Sequence, residues 1–152
     1  MLKKYSIILL GVSLSFAQSA LSNSSLYSLI MKGGDLKKVK ELVLSGKTKI
    51  DEGDVAVAAL KGHVEIVEFF LSKRAPLDSE VMRSAVRGAC ENKKRSKAYE
   101  EIIRMLVQVH APFDKETLCM AIECGNMTIV KMLVDAMPAF NNAKPLTRLR
   151  SA

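Results

Sequence analysis

The phrase that decides the fold of this chain is Gly62-His-Val64-Glu-Ile-Val67-Glu-Phe-Phe70-Leu71. It returns as Gly34-Asp-Leu-Lys-Lys-Val39-Lys-Glu-Leu42-Val43, as Gly125-Asn-Met127-Thr-Ile-Val130-Lys-Met-Leu133-Val134 and, in degenerate form, as Tyr99-Glu-Glu-Ile-Ile103-Arg-Met-Leu106-Val107. In each copy the apolar residues recur with helical spacing and form one stripe. Because self-similarity at a fixed spacing marks a stack of one supersecondary unit, the sequence predicts a repeat protein.

An acidic or amide residue closes each unit, and these residues (Asp51, Asp78, Asp114 and Asn141) lie 27, 36 and 27 positions apart. A second apolar segment precedes a glycine at residues 55–62, 81–88 and 118–125. The pattern predicts an all-α protein in which each unit is two short helices joined at a glycine-containing turn. About four units are expected, at 24–51, 52–78, 79–114 with an insertion at 89–98, and 115–141.

This pattern resembles the ankyrin repeat family over residues 25–141. The second unit carries the resemblance most fully, in Ala58-Ala59-Leu60-Lys61-Gly62-His63-Val64-Glu65-Ile66-Val67 and in the closing Ala75-Pro76-Leu77-Asp78. The third and fourth units close with Ala111-Pro112-Phe113-Asp114 and Pro138-Ala139-Phe140-Asn141. The resemblance implies an ankyrin-like solenoid that acts as a protein-protein interaction module.

The departures from the family pattern are specific. No copy has Thr-Pro-Leu-His at the start of the first helix, and the unit is about six residues shorter than the usual 33. We place that loss in the hairpin finger between units, since both helices keep their length. Arg74, His110 and Met137 replace the glycine that ends the second helix, at a position where left-handed backbone geometry favours glycine.

The N-terminal residues have the three parts of a secretory signal. Met1-Leu-Lys3-Lys4 is positively charged, residues 5–16 are apolar, and small residues for cleavage follow between Ala17 and Ser22. We therefore expect residues 1–20 to be a cleavable signal peptide and the protein to be periplasmic or secreted. The alternative is an N-terminal cap helix of the solenoid.

Loss of Lys3 and Lys4 would leave 21 basic against 16 acidic residues, a net charge of about +5. The excess is concentrated in Lys93-Lys94-Arg95-Ser96-Lys97 and in the tail 142–152, which we expect to be disordered. Such a run can hold an anionic surface, and the alternative is a solvated loop with a frayed end. We expect weak contact with an anionic membrane at most. Nucleic acid is not expected as a partner, because the chain lacks interleaved aromatic residues.

The three cysteines, Cys90, Cys119 and Cys124, leave at least one thiol unpaired. A bridge between Cys90 and Cys124 is conceivable, but a spacing of about 10 Å between stacked units exceeds the Cα separation of about 7 Å that a disulfide allows. Burial as small apolar side chains is the expected role for Cys119 and for Cys124. Core filling is likewise expected for Met105, Met120, Met127 and Met132.

No pattern of catalytic or metal-binding residues stands out, so we expect no enzyme activity, no cofactor and no metal site. The resemblance gives His63 a structural role that ties loop to helix, and His110 falls at a helix end. If the resemblance holds, a monomer contacts a protein partner through its concave face and the loops between units. The residues expected there are Glu52, Leu60, Lys61, Glu80, Arg87, Glu116 and Glu123. The alternative is a structural envelope protein that contacts anionic lipid through the basic insertion and the tail.

Overall fold

A computed structural model describes residues 26–141, with side chains described as far as residue 137. The expected signal peptide and the expected basic tail lie outside these residues. Every regular element within 26–141 is helical. The elements are α1 (26–32, helical from the first described residue), α2 (Leu36–Leu44), α3 (Glu52–Lys61), α4 (Val64–Ser72), α5 (Ser79–Glu91), a 3₁₀ segment (Lys93–Arg95), α6 (Ser96–Gln108), α7 (Lys115–Cys124) and α8 (Met127–Asn141). The expectation of an all-α protein is confirmed for this part of the chain.

Helices α3, α5 and α7 each begin directly after an aspartate. Asp51, Asp78 and Asp114 have extended backbone, and each side chain accepts hydrogen bonds from amides of the first helical turn. At α3 the cap is reciprocal, because Asp54 in turn accepts from the Asp51 amide at 3.2 Å. The acidic residues that close the units in the sequence therefore act by starting the next helix.

The turns between paired helices follow the expected backbone chemistry at two glycines. Gly62 and Gly125 end α3 and α7 in the left-handed conformation, with φ of 69° and 76°. Arg74 and His110 have φ of 54° and 56° after α4 and α6, so the left-handed geometry expected there is confirmed. A non-glycine side chain makes this conformation costly, and the surrounding contacts must maintain it.

The expectation of a turn at Met137 is wrong, because α8 continues through this residue to Asn141. Pro138 lies inside the helix and cannot donate a hydrogen bond to the carbonyl of Val134. Val134 is exposed, so water can satisfy that carbonyl and the helix can continue.

The third unit differs from its prediction at Gly88. This residue is not a turn but a buried position inside α5, which runs on to Glu91. A Cβ atom built on Gly88 would lie 2.4 Å from the Leu60 carbonyl oxygen and 2.4 Å from the Tyr99 ring. The glycine is therefore required for the close approach of α5 to the end of α3.

The extra residues of the third unit are helical rather than a loop. They lengthen α5 and α6 to 13 residues each, against 9 or 10 in α3, α4 and α7. Lys93–Arg95 form the 3₁₀ segment, and Ser96 and Lys97 begin α6. The alternative of a solvated loop therefore does not describe residues 93–97, although their cations are exposed to solvent.

The helices contact one another in two rows. Helices α3, α5 and α7 form the first-helix row, in which each contacts the next, and α2, α4, α6 and α8 form the second-helix row. Contacts between α3 and α4, α5 and α6, and α7 and α8 join the rows. The small side chains of Ala58 and Ala59 are fully buried, as is Phe70. One buried apolar core consequently runs between the two rows from Leu26 to Leu133.

Cys90 and Cys124 form a disulfide between the ends of α5 and α7, with Cα atoms 5.3 Å apart. The unit spacing does not prevent the bridge, which the sequence leaves open, because helix axes about 10 Å apart bring facing Cα atoms to about 5.4 Å when each lies about 2.3 Å off its axis. Cys119 is exposed rather than buried, since it faces away from that contact. Met127 is 72% exposed and does not fill the core, whereas Met105, Met120 and Met132 pack against it.

Candidate functional site

The exposed face of α5 carries three charged residues with helical spacing. Glu80, Arg83 and Arg87 lie three and four positions apart, so their side chains share one side of the helix. Arg83 Nη1 lies 3.2 Å from Glu80 Oε2, and Arg87 Nη2 lies 3.8 Å from Glu80 Oε1. These contacts order the three side chains on the solvent side of the first-helix row.

Arg83 also reaches the next unit. Its second terminal nitrogen donates to the carboxylate of Asp114, which caps α7, and lies 3.4 Å from Glu116 Oε2. Hydrogen bonds from Thr117, together with Arg83, lower the pKa of Asp114 below its usual value. The same bond to Asp114 raises the pKa of Arg83. We call these five residues the inner-face cluster: Glu80, Arg83, Arg87, Asp114 and Glu116.

The inner-face cluster is suited to recognition more than to stabilisation. Its members are partly exposed, and Glu116 is the most exposed, at 83% of its side chain. Ion pairs at such exposure contribute little to folding, because solvent screens them. Three carboxylates and two guanidinium groups, brought together across two units, instead define a mixed-charge pattern. Complementarity to such a pattern selects partners and raises association rates.

The seven residues expected at the partner surface separate into three groups. Glu80, Arg87 and Glu116 come together in the inner-face cluster. Glu52 and Glu123 are exposed on α3 and α7 and make no ion pair within residues 26–141. Leu60 and Lys61 lie at the opposite end of α3, in a separate groove. Sequence reasoning missed Arg83, although its spacing from Glu80 and Arg87 places it on the same helical face.

A groove of about 450 Å³ lies where three successive units turn. Residues 31–33 line it from the end of α1, Leu60 and Lys61 from the end of α3, and Gly88, Glu91, Asn92 and Arg95 from the end of α5 and the 3₁₀ segment. His63 and Tyr99 complete the lining. We call it the basic groove, because Lys32, Lys61 and Arg95 outnumber the single carboxylate, Glu91.

Side chains from the following unit fix the walls of the basic groove. The Arg95 guanidinium donates to the carbonyls of Lys61 and Gly62, at 3.1 and 3.0 Å. The Tyr99 hydroxyl donates to the Leu60 carbonyl at 2.9 Å. These bonds satisfy carbonyls that the end of α3 leaves without helical partners. The end of α3 is therefore rigid, and Arg95 is held in place at it.

His63 has a similar role one unit earlier. Its Nε2 donates to the Ile30 carbonyl at 3.2 Å, which joins the second unit to α1. Burial is the main cause of a lowered His63 pKa, and the nearby charges of Arg95 and Lys61 lower it further. Burial also raises the pKa of Tyr99. His63 thus forms a link to the preceding unit.

A second groove, of about 380 Å³, lies between the ends of α5 and α7 beside the disulfide. Lys93 and Ser96 line one side of it, and Gly125 and Asn126 line the other. Asn126 Nδ2 donates to Glu100 Oε1 at 3.3 Å. The 3₁₀ segment therefore forms a ridge between two grooves, with Arg95 on one side and Lys93 on the other.

Two further features bear on chemistry and location. Within residues 26–141, no group of three or more histidine, cysteine, aspartate or glutamate side chains is placed to hold a metal ion. The helices of the same region include none that combines the length and the apolar character needed to cross a bilayer. No protein-family model, curated protein or solved structure matches the chain.

Proposed function

We propose that this protein is a non-catalytic protein-protein interaction module, built as an ankyrin-like solenoid of about four helix pairs and exported to the periplasm or secreted. The two-row contact pattern supports the solenoid, because each helix contacts its equivalent in the next unit as well as its own partner. Stacked units of this kind stabilise one another in series and present a continuous surface.

The inner-face cluster is the observation that carries the proposal. Arg83 bridges two units through Asp114 and Glu116, so the exposed charges of α5 and α7 lie together on one surface. Glu123 extends this surface along α7, and Glu52 extends it along α3.

The titratable groups support a binding role over a catalytic one. Asp51, Asp78 and Asp114 are engaged in capping helices. His63 is engaged with a backbone carbonyl. These side chains make structural hydrogen bonds. Each would have to break a helix cap or a link between units before it could transfer a proton or attack a substrate.

The disulfide supports export. Cysteine pairs persist in oxidising compartments and are rare where thiol reductants are abundant. The Cys90–Cys124 bridge agrees with the N-terminal pattern at residues 1–20, which itself lies outside the described residues.

The test is a crosslinked capture from envelope and culture material with the full chain and two charge-swapped variants. Arg87→Glu with Glu116→Lys inverts two exposed charges of the inner-face cluster at constant net charge. Glu101→Lys with Lys131→Glu makes the same exchange on exposed residues of the second-helix row. The proposal expects a protein captured in stoichiometric amount by the native chain and by the second variant, and lost with the first. Capture that all three proteins share, or no capture at all, would contradict it.

A second candidate function is a structural envelope protein that contacts anionic lipid. The observation favouring it is the exposed cluster of Lys93, Lys94, Arg95 and Lys97, none of which pairs with a carboxylate within residues 26–141. Co-sedimentation with phosphatidylglycerol vesicles measures this directly. Salt-sensitive binding that Lys93→Gln/Lys94→Gln/Lys97→Gln removes would establish the lipid contact. Binding equal to that of neutral vesicles would exclude it.

A further inference from the structure

The basic groove draws its charge from three successive units. Lys32 ends α1, Lys61 ends α3, and Arg95 comes from the 3₁₀ segment after α5. The guanidinium of Arg95 reaches back to the carbonyls of Lys61 and Gly62, so the positive end of Arg95 lies at the end of α3 beside Lys61. The groove therefore has two positively charged positions on adjacent units. Lys32 forms the first, and Lys61 with Arg95 forms the second.

These cations are not neutralised within the described part of the chain. None of the three lies within ion-pair distance of a carboxylate, in contrast to Arg83 and Arg87 of the inner-face cluster. Glu91 is the one carboxylate that lines the groove. A concave site with unneutralised charge of one sign concentrates ions of the opposite sign. Burial is the main cause of the lowered pKa of His63 in this groove, and the charges of Arg95 and Lys61 lower it further.

The lining of the groove also suits a ligand, because hydrogen bonds position its Arg95 and Tyr99 side chains. Arg95 donates two hydrogen bonds to backbone carbonyls, so its orientation is fixed while other N–H groups of the guanidinium stay available. The Tyr99 ring is held by its hydroxyl bond to the Leu60 carbonyl. Leu60 and the partly exposed Met31 add apolar surface between the charges. A chain with both carboxylates and methylene groups fits this lining better than a bare anion does.

We propose that the basic groove binds an acidic, extended peptide segment of a protein partner. This inference rests on the proposed interaction function and names the chemistry that one of its surfaces recognises. Adjacent units stack about 10 Å apart, and three residues of extended chain span about 10 Å. An acidic residue beside Lys32 is thus followed three positions later by one beside Lys61 and Arg95. A bilayer is a less suitable ligand, since a flat surface does not follow a groove lined by the half-buried Lys61.

The test uses a fluorescein-labelled peptide, Glu-Ser-Ser-Glu-Glu, and the full chain at low salt, with binding measured by fluorescence anisotropy. The test variant is Lys32→Gln/Lys61→Gln, which removes two groove charges whose side chains make no hydrogen bond or ion pair that the fold needs. The control variant is Lys47→Gln/Lys49→Gln, which removes two exposed charges from the loop before α3. That loop lies about 14 Å along α3 from the groove. Both variants have the same net charge.

We expect the test variant to weaken peptide binding at least about tenfold and the control variant to weaken it less than about twofold. A peptide with glutamine in place of glutamate should not bind. Equal weakening by both variants would show attraction to net charge alone and overturn the proposal. Failure of the peptide to bind the protein would also overturn the proposal, whether or not the protein binds phosphatidylglycerol vesicles. The capture experiment with Arg87→Glu/Glu116→Lys tests the proposed function and leaves the groove intact. A negative peptide result can therefore be distinguished from a negative capture result.

Discussion

Replacement of Gly88 by alanine should destabilise this protein, although the same change stabilises most helix interiors. Alanine is favoured over glycine inside a helix by about 0.5–1 kcal/mol. At Gly88, however, the added Cβ would lie 2.4 Å from the Leu60 carbonyl oxygen and 2.4 Å from a ring carbon of Tyr99. The first is a backbone atom at the end of α3, so it cannot rotate away. The clash can be relieved only if α5 moves away from α3.

Overpacking of this kind costs about 1–3 kcal/mol, and the upper end applies because a backbone atom must shift. After subtraction of the gain in helix propensity, we expect a net loss of about 2 kcal/mol in the free energy of unfolding. Urea denaturation followed by circular dichroism at 222 nm measures it. The control is Gly53→Ala in the exposed first turn of α3, where the nearest atom is a side-chain oxygen at 3.3 Å. A Gly88→Ala protein as stable as the control would refute the close approach of α5 to the end of α3.

Three further predictions concern the core, the cap of α3 and the disulfide. Phe70→Ala removes a fully buried ring between the rows, and the urea midpoint should fall by an amount equivalent to about 3–5 kcal/mol; an unchanged cooperative transition would contradict the helix register. Burial raises the pKa of Asp54 to about 7, so the folded state holds a proton that the unfolded state has released. The free energy of unfolding should therefore fall as the pH rises from about 4 to 7. Urea titrations at several pH values should show a smaller pH dependence for Asp54→Asn. An equal pH dependence in the variant would exclude Asp54 as its cause. The disulfide closes a segment of 34 residues, so reduction should lower the free energy of unfolding by about 3–4 kcal/mol; equal denaturation curves with and without reductant would contradict a stabilising bridge.

Features that depend on a few neighbouring residues could be predicted from the sequence. The starts of α3 and α7 follow from aspartates whose side chains cap the next turn. The turns at Gly62 and Gly125 follow from a backbone conformation that glycine adopts without strain. The buried stripe around Phe70 follows from helical periodicity. In each case the physical cause lies within about one helical turn of the residue.

Features that depend on the approach of distant segments could not be predicted in this way. The hydrogen bond from Tyr99 to Leu60 joins residues 39 apart, and the contact from Arg83 to Asp114 joins residues 31 apart. The sequence alone cannot distinguish a turn at Gly88 from close packing, because glycine serves both, and only the position of α3 separates the two uses. The inner-face cluster was accordingly predicted in part, without the arginine that connects its two units.

Hydrogen exchange of the full chain, measured free and after crosslinking to its captured partner, tests the interaction account most directly. The account predicts slower amide exchange in the partner-bound chain at the solvent-facing parts of α5 and α7, around residues 80–87 and 116–123. Outside the basic groove, exchange in α4 and α6 of the second-helix row should not change. Protection confined to residues 93–97, or no protection of α5 and α7, would contradict a partner surface on the first-helix row.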